Sequence, residues 1–233
     1  MHDTRASKVK WPNIQTVLLD MDGTLLDLHY DNHFWMEFLP GVYADKHVIS
    51  LEDSRAQLSK VFKDSQGTLH FYCVEHWSEK LDLDIVNLKK QETERIAFLP
   101  DAEKFLAAIN AIADRPSIAI ATNAHREVFE VKDRKLGLRR YVDDIFCANE
   151  LGAPKESKEY WDRLQERFPF DPETTLFVDD NQTVLGAATS FGISNLIMPL
   201  KPDTKKPPQQ NQRGYQAINS LREITPGAIQ PAP

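Results

Sequence analysis

The feature that most constrains the fold is an alternation of short apolar runs with longer segments of helical periodicity. The runs are rich in β-branched and aromatic residues, which is typical of buried strands in a parallel sheet. These candidate strands lie at residues 16–20, 117–122, 144–148, 175–179 and 194–198. Candidate helices lie at residues 101–112, 125–136, 157–168 and 182–191. The alternation predicts an α/β fold with a Rossmann-like parallel sheet and helices on both faces.

Residues 28–96 interrupt this alternation, because they carry helical patterns and no clear strand. We therefore predict an α/β core formed by residues 12–27 and 97–200, with an inserted helical cap at residues 28–96. The cap is rich in aromatic residues that either pack in its own interior or stack on a planar ligand. These aromatic residues are Tyr30, Phe34, Trp35, Tyr72 and Trp77.

The chain beyond residue 200 has a different composition. Lys, Pro and Gln dominate residues 201–212, which have little apolar surface to bury, so we expect a surface loop without catalytic residues. Residues 226–233 resemble a frayed tail. We interpret residues 201–233 as a C-terminal extension that is partly flexible.

Composition excludes several classes of protein. The chain has 35 acidic and 28 basic residues and a net charge of −7, which disfavours a nucleic acid polymer as partner. No apolar run approaches the roughly 18 to 20 residues needed to span a bilayer, and the segment Met1–Arg5 is not apolar. We therefore expect a cytoplasmic protein with no membrane partner. Cys73 and Cys147 stand far from any ligand cluster and are expected to be free thiols.

Polar side chains follow the first predicted strand directly. Asp20 and Asp22 stand one residue apart at its end and are followed by Gly23. In an open parallel sheet, ligands bind beyond the carboxyl ends of the strands, so both carboxylates are placed at the expected crevice. Crowded carboxylates repel and require a cation or a shared proton, and Mg²⁺ prefers such oxygen ligands. The pair therefore indicates a magnesium site that also receives a phosphate.

Other polar residues follow later strands. Thr122 and Asn123 end the second strand, where a hydroxyl and free backbone N–H groups can hold phosphate oxygens. Lys155 follows a turn and suits the neutralisation of phosphate or clustered carboxylates. Asp179 and Asp180 end the fourth strand, where Asp180 could complete the metal site and Asp179 could orient it or the lysine.

Taken in order, these residues resemble the motif set of the haloacid dehalogenase (HAD) superfamily of phosphohydrolases. The motifs are Asp20-Met-Asp22-Gly-Thr, then Thr122, Lys155 and Asp179-Asp180. The resemblance spans roughly residues 14–198 and includes a helical cap inserted after the first motif. Residues 27–35, 70–77 and 122–125 further resemble the bacterial GMP/IMP 5′-nucleotidase branch.

The resemblance implies a phosphomonoesterase acting on purine nucleoside 5′-monophosphates. Asp20 would be the nucleophile that forms an aspartyl-phosphate, and Asp22 would protonate the departing oxygen and later activate water. Thr122 and Lys155 would hold the transferring phosphoryl group, with Asn123 beside them in substrate binding. The implied partner is thus a small-molecule phosphate ester; the oligomeric state is not predicted.

The resemblance also implies Mg²⁺ as cofactor. The ion would bind the Asp20 carboxylate, the backbone carbonyl of Asp22 and Asp180. Val184 occupies the position where many members of the superfamily carry an additional acid. Asp179 is expected to compensate, either as a metal ligand or by orienting its neighbours.

Three alternatives remain at this stage. The same fold could act on another small phosphate ester, such as phosphoglycolate, a sugar phosphate or a flavin nucleotide. A haloalkanoate dehalogenase also uses an aspartate nucleophile, but it needs no proton donor for an ester oxygen, so Asp22 argues against it. A phospho-aspartate receiver module combines similar residues, but it orders its acids differently along the strands and lacks a large cap.

Overall fold

The computed structural model describes residues 9–227, in which six parallel strands form one sheet. The strands are β1 (Thr16–Leu19), β2 (Ser117–Thr122), β3 (Asp144–Cys147), β4 (Thr175–Val178), β5 (Asn195–Pro199) and β6 (Gln216–Ile218). The first five lie within one residue of their predicted ends. Their order in the sheet is β3-β2-β1-β4-β5-β6, the doubly wound order of Rossmann-like folds. The predicted fold class is confirmed.

Helices occupy the segments between strands and the predicted cap. The cap contains α1 (His29–His33), a π-helical turn (Phe34–Phe38), α2 (Leu39–His47), α3 (Leu51–Ser65), α4 (Val74–Leu81) and α5 (Ile85–Gln91). The remaining helices are α6 (Ala102–Asn110), α7 (Arg126–Leu136), α8 (Ala148–Leu151), α9 (Lys158–Arg167) and α10 (Gln182–Phe191). Short 3₁₀ turns lie at Trp11–Asn13, Leu69–Tyr72, Thr93–Arg95, Leu138–Tyr141, Pro172–Thr174 and Leu221–Ile224. Among residues 9–227, no helix combines the length and the apolarity needed to cross a membrane.

Alternate side chains of each strand point to opposite faces of the sheet, so one strand contributes to two apolar layers. Val17 and Leu19 of β1 belong to a buried cluster that includes Phe105 of α6. Leu18 belongs to a second cluster on the other face, with Trp161 of α9. Strand β1 is fully covered on both sides, which explains why its sequence is continuously apolar.

The cap helices have an apolar cluster of their own, to which Val128 of α7 also contributes. Phe34, Leu58, Trp77 and Ile85 are at most 2% exposed and belong to this cluster. Trp35 and Phe62 pack against the cluster from its edge. The boundaries of the core and the cap remain predictions, but the helices of residues 29–91 enclose a core of their own.

The C-terminal segment lies against the sheet and the cap. Residues 216–218 add strand β6, which pairs with β5. Upstream of this strand, the carbonyl of Pro202 accepts a hydrogen bond from the backbone N–H of Leu28 at 2.9 Å. The backbone N–H of Thr204 donates to Asp27 Oδ1 at 3.1 Å. The loop expected at residues 201–212 therefore holds the chain at the point where it enters the cap.

Two predictions on smaller features can be placed in the structure. Cys73 and Cys147 are free thiols, as expected. Residues 1–8 and 228–233 lie outside the described residues, and with them the segment Met1–Arg5 and most of the predicted tail at residues 226–233.

Candidate active site

A cavity of about 370 Å³ lies between the carboxyl ends of the strands and the cap. It is at the lower end of the range of roughly 300 to 1,000 Å³ that is typical of small-molecule sites. Every site residue that the sequence predicts lines this cavity: Asp20, Asp22, Thr122, Asn123, Lys155, Asp179 and Asp180. The cavity lies above β1 and β4, the strands between which the chain order reverses, where α/β sheets bind ligands.

The loop after β1 places the first two carboxylates. The backbone N–H of Asp20 donates to the carbonyl of Val178 at 2.9 Å, which keeps the end of β1 joined to β4. The chain then turns back, since the N–H of Leu25 donates to the carbonyl of Met21 at 2.9 Å. Gly23 lies within this turn and has a φ of +89°, a backbone conformation that favours glycine.

Lys155 joins the ends of three strands. Its side chain is buried, and its ammonium group donates to Asp20 Oδ1, to Asp179 Oδ2 at 2.7 Å and to the carbonyl of Ala121 at 3.0 Å. An ammonium group has three N–H donors, so all three are occupied. Burial alone would lower the pKa of Lys155, but the neighbouring carboxylates of Asp179 and Asp20 raise it well above its usual value. The side chain is therefore a permanent cation in the site.

Asp179 and Asp180 have different environments although they are adjacent in sequence. Asp179 accepts from Lys155 with one oxygen and from the backbone N–H of Asn181 at 2.7 Å with the other. The Asp180 side chain lies against the Gly23 backbone, and its backbone carbonyl accepts a hydrogen bond from Gln209 Nε2 at 2.8 Å. Asp179 therefore has both oxygens engaged within the protein, which leaves Asp180 better suited to an added cation.

Negative charge is crowded at the ends of β1 and β4. Burial raises the pKa of Asp20 to about 7, and Asp179 contributes in the same direction, against the effect of Lys155. Burial, and then the charges of Asp179 and Asp20, raise the pKa of Asp180 well above its usual range. Three carboxylates thus share one ammonium group, and a divalent cation would relieve the remaining repulsion.

The donor set fits Mg²⁺. Carboxylate oxygens of Asp20, Asp179 and Asp180 all lie within 4.8 Å of one another. Hard oxygen ligands from one or two carboxylates, completed by water and phosphate, are the arrangement that Mg²⁺ adopts in phosphate sites. Because both oxygens of Asp179 already accept hydrogen bonds, Asp179 is less suited to a direct metal contact than Asp180.

Thr122, the last residue of β2, and Asn123, which follows it, also line the cavity. The Thr122 hydroxyl accepts from the backbone N–H of Ala124 at 3.0 Å and keeps its own proton for another partner. Asn123 Oδ1 accepts from the backbone N–H of Lys155 at 2.8 Å, which fixes the loop that carries the lysine. Asn123 also donates to Glu156 Oε2 at 3.0 Å, so its amide is engaged on both sides.

Sequence reasoning missed a second set of charged residues around Asp22. Lys132 on α7 is 1% exposed and donates to Asp22 Oδ1 and to Asp31 Oδ2, both at 2.6 Å. The signal available in the sequence is the position of Lys132, which follows Val128 by one helical turn and therefore lies on the apolar face of α7. A lysine on that face is rare unless it is paired.

The cap supplies the opposite wall of the cavity. Of the five cap aromatics considered above, Trp35, Tyr72 and Trp77 line the cavity, while Tyr30 and Phe34 are buried away from it. Phe71 and Phe62, which the sequence did not single out, line it as well. Three of the five rings thus face the cavity, and the other two pack in the protein interior.

Gly23 provides a test of how closely the first loop must approach Asp180. A Cβ atom at this position would lie 2.7 Å from the Asp180 carboxyl carbon, and the φ of +89° is unfavourable for alanine. We expect Gly23→Ala to displace Asp180 and to lower kcat about 10²-fold, since displacements near 1 Å have effects of that size. Steady-state kinetics measures this loss.

Gly41 is the matched control, since it has no heavy atom within 4 Å of an added Cβ and an ordinary φ. Gly41→Ala should keep the wild-type rate. Equal rates for the two variants would contradict the close approach of Gly23 to Asp180.

The fold and the site together are typical of an α/β enzyme with carboxylates and a lysine clustered at the ends of parallel strands. A family model described as haloacid dehalogenase-like hydrolase matches residues 14–192. The chain belongs to this family of hydrolases.

Individual relatives agree with this assignment. The chain is 34% identical over 221 residues to the GMP/IMP nucleotidase YrfG of Escherichia coli, covering 95% of this chain and 98% of the relative. Among solved structures, an HAD phosphatase from Thermococcus onnurineus has a TM-score of 0.75 and 21% identity, covering 91% of this chain and 96% of that chain. An L-2-haloacid dehalogenase from Xanthobacter autotrophicus has a TM-score of 0.55 and 18% identity, covering 82% of this chain and 80% of that chain. Both structures share the fold.

Proposed function

We propose that the protein is a Mg²⁺-dependent phosphomonoesterase that hydrolyses purine nucleoside 5′-monophosphates, with GMP and IMP as substrates. The observation that carries the proposal is the convergence of Asp20, Thr122, Lys155 and Asp180 on one cavity. Phosphoryl transfer needs a nucleophile, hydrogen-bond donors for the phosphoryl oxygens and a cation site. The residues that line this cavity are of the types that can fill all three roles. The choice of nucleotide rests on the full-length similarity to the nucleotidase from Escherichia coli.

In the first half of the reaction, a carboxylate oxygen of Asp20 forms a bond to phosphorus while the bond from phosphorus to the ester oxygen breaks. Lys155 donates to Asp20 before substrate binds. Transfer of that hydrogen bond to a phosphoryl oxygen frees the Asp20 oxygen for attack and holds the phosphate in line. The Thr122 hydroxyl provides a further donor to the phosphate.

Asp22 acts first as a general acid and then as a general base. It donates a proton to the departing ester oxygen, so that the nucleoside leaves as a neutral alcohol. Water then attacks phosphorus and gives its proton to Asp22, which releases phosphate and restores the Asp20 carboxylate. Burial raises the pKa of Asp22 to about 6, against the effect of Lys132, and a pKa near the working pH suits a group that both donates and accepts.

Asp20, Asp180 and the backbone carbonyl of Asp22 would hold the cofactor. A bound Mg²⁺ ion supplies positive charge that lets the carboxylate approach a phosphate dianion. Asp179 acts through Lys155, because both of its oxygens are already engaged. Asp180 is thus proposed as the metal ligand and Asp179 as the residue that orients Lys155.

Removal of the metal provides one test. Excess chelator is expected to abolish phosphate release from GMP, and added Mg²⁺ should restore it. Mg²⁺ should also raise the melting temperature of the wild type, because ligand at 100 times its Kd stabilises by about 2.7 kcal/mol. Asp180→Asn should lose this thermal shift. Full activity in chelator would contradict the metal assignment.

A substrate panel tests the choice of ester. Phosphate release should be fastest with GMP and IMP, and slower with phosphoglycolate, sugar phosphates and a flavin nucleotide, measured as kcat/KM at saturating Mg²⁺. The apolar cap wall, with Trp35 and Phe71, favours a planar base over a small polar group. Sugar phosphates that outpaced the purine nucleotides would assign the protein to the alternative substrate class.

A further inference from the structure

Four charged side chains, two buried lysines and two partly buried carboxylates, form a chain that starts at the proposed proton donor. Asp22 Oδ1 accepts from Lys132, and Asp31 Oδ2 accepts from the same ammonium group, both at 2.6 Å. Asp31 Oδ1 accepts from Lys89 at 2.7 Å. Both lysines are 1% exposed. The chain alternates acid, base, acid and base, so its formal charges cancel.

Burial of the two ammonium groups has a large desolvation cost, and apolar residues of similar volume would often be no less stable at such positions. Each ammonium group is instead paired with a carboxylate. Lys89 Nζ also lies 4.2 Å from the ring centroid of Phe34 and 4.9 Å from that of Tyr30. Burial would raise the pKa of Asp31, but Lys132 and Lys89 hold it well below its usual range. Asp31 is therefore a carboxylate that binds both lysines.

The chain also crosses from the core to the cap. Asp22 lies in the loop after β1 and Lys132 on α7, whereas Asp31 lies on α1 and Lys89 on α5 of the cap. Asp31 and Lys89 therefore reach Lys132 only when the cap lies against the core. The orientation of Asp22 is thus connected to the position of the cap through a single ammonium group.

The Asp22 carboxylate is held at one oxygen only. Lys132 fixes Oδ1, while Oδ2 has no hydrogen-bond donor among the residues that the structure describes. Since Asp22 lines the cavity, Oδ2 is the oxygen available to a departing group. A carboxylate fixed at one oxygen presents the other in a defined direction, which is what proton transfer in the transition state requires.

We propose that Lys132 is a positioning residue for the proton donor Asp22, and that Asp31 and Lys89 hold Lys132 in place from the cap. The inference rests on the proposed function, because it assumes that Asp22 protonates an ester oxygen. It adds that productive proton transfer depends on the cap contact through Asp31.

Two substrates separate positioning of the acid from a general structural role. GMP has an alkyl leaving group that needs a proton, whereas p-nitrophenyl phosphate has an acidic phenol that leaves with little assistance. The quantity to measure is kcat/KM, which covers steps up to ester cleavage and excludes the later attack by water. Lys132→Met should lower kcat/KM about 10²-fold with GMP, in the range of general acid catalysis, and less than about tenfold with p-nitrophenyl phosphate.

Three further variants are compared with Lys132→Met. Asp22→Asn should show the same selective loss to at least the same extent, and Lys89→Met should show it more weakly. Lys135→Met is the matched control, because Lys135 also lies on α7 and pairs with Glu94 of the cap at 3.1 Å, but on the surface. It should keep wild-type kcat/KM with both esters.

The melting temperature of each variant is measured as well, because Lys132→Met leaves Asp22 without its ammonium partner and Asp31 with Lys89 alone, which lowers stability. The ratio of the two kcat/KM values does not depend on the fraction of enzyme that is folded, so a destabilised variant still tests the selective loss. Equal losses on the two esters, or no loss, would overturn the inference. If the wild type cleaved p-nitrophenyl phosphate but no alkyl phosphate, the proposed function would fail and the inference with it, which distinguishes the two failures.

Discussion

Asp20→Asn is expected to abolish phosphate release, with kcat at least about 10⁴-fold below that of the wild type. The amide oxygen is a poor nucleophile, and no other carboxylate can take its place. Asp179 has both oxygens engaged by Lys155 and the Asn181 backbone. The measurement is phosphate release from GMP at saturating Mg²⁺, together with mass spectrometry for a phosphorylated enzyme, which the variant should not form.

The folded state should tolerate this change. The substitution removes one of three crowded carboxylates, so the free energy of unfolding of the metal-free protein should stay the same or rise. Asp114→Asn is the matched control, because it makes the same change at an exposed position before β2. Retention of more than about a hundredth of the wild-type rate by Asp20→Asn would show that another group attacks phosphorus.

Lys155→Met is expected to have the largest combined effect on activity and stability. Loss of the ammonium group removes a donor to the phosphoryl oxygens and should lower kcat/KM about 10³-fold, as for other preorganised charge contacts. It also leaves Asp20 and Asp179 without their shared cation, and both side chains are at most 8% exposed. Removal of one partner from a buried ion pair typically costs about 3 to 5 kcal/mol. Urea unfolding of the metal-free protein measures this cost.

A double variant separates the two effects. Asp179→Asn added to Lys155→Met removes one of the stranded carboxylates and should recover part of the lost free energy of unfolding without recovering activity. Lys158→Met is the control, because Lys158 is 76% exposed and pairs only at the surface, with Asp162. A stable Lys155→Met variant with near wild-type kcat/KM would contradict the placement of this lysine in the site.

The sequence predicted the sheet and the residues that line the candidate site because both depend on local patterns. Each strand near the cavity is a short apolar run, and β1, β2 and β4 are followed or ended by Asp20, Thr122 and Asp179. Parallel strands bring such ends to one edge of a sheet, so the order of motifs along the chain implies their convergence. The assignment of the individual catalytic roles stays a prediction.

The charged residues around Asp22 could not be predicted in this way. Lys132 and Asp31 are 101 residues apart, and Lys89 and Asp31 are 58 apart, so no local pattern indicates that they pair. A charged residue is usually solvated, and only the tertiary fold decides that these are buried. Strand β6 was missed for a related reason, because Gln216–Ile218 has three residues and becomes a strand only against β5.

The hydrogen bonds from the Leu28 N–H to the Pro202 carbonyl and from the Thr204 N–H to Asp27 tie a third chain segment, residues 202–204, to the entrance of the cap. A rotation of the cap away from the sheet must stretch these bonds or carry the segment along. The freedom of the cap to rotate is therefore limited in part by a segment that contributes none of the predicted site residues.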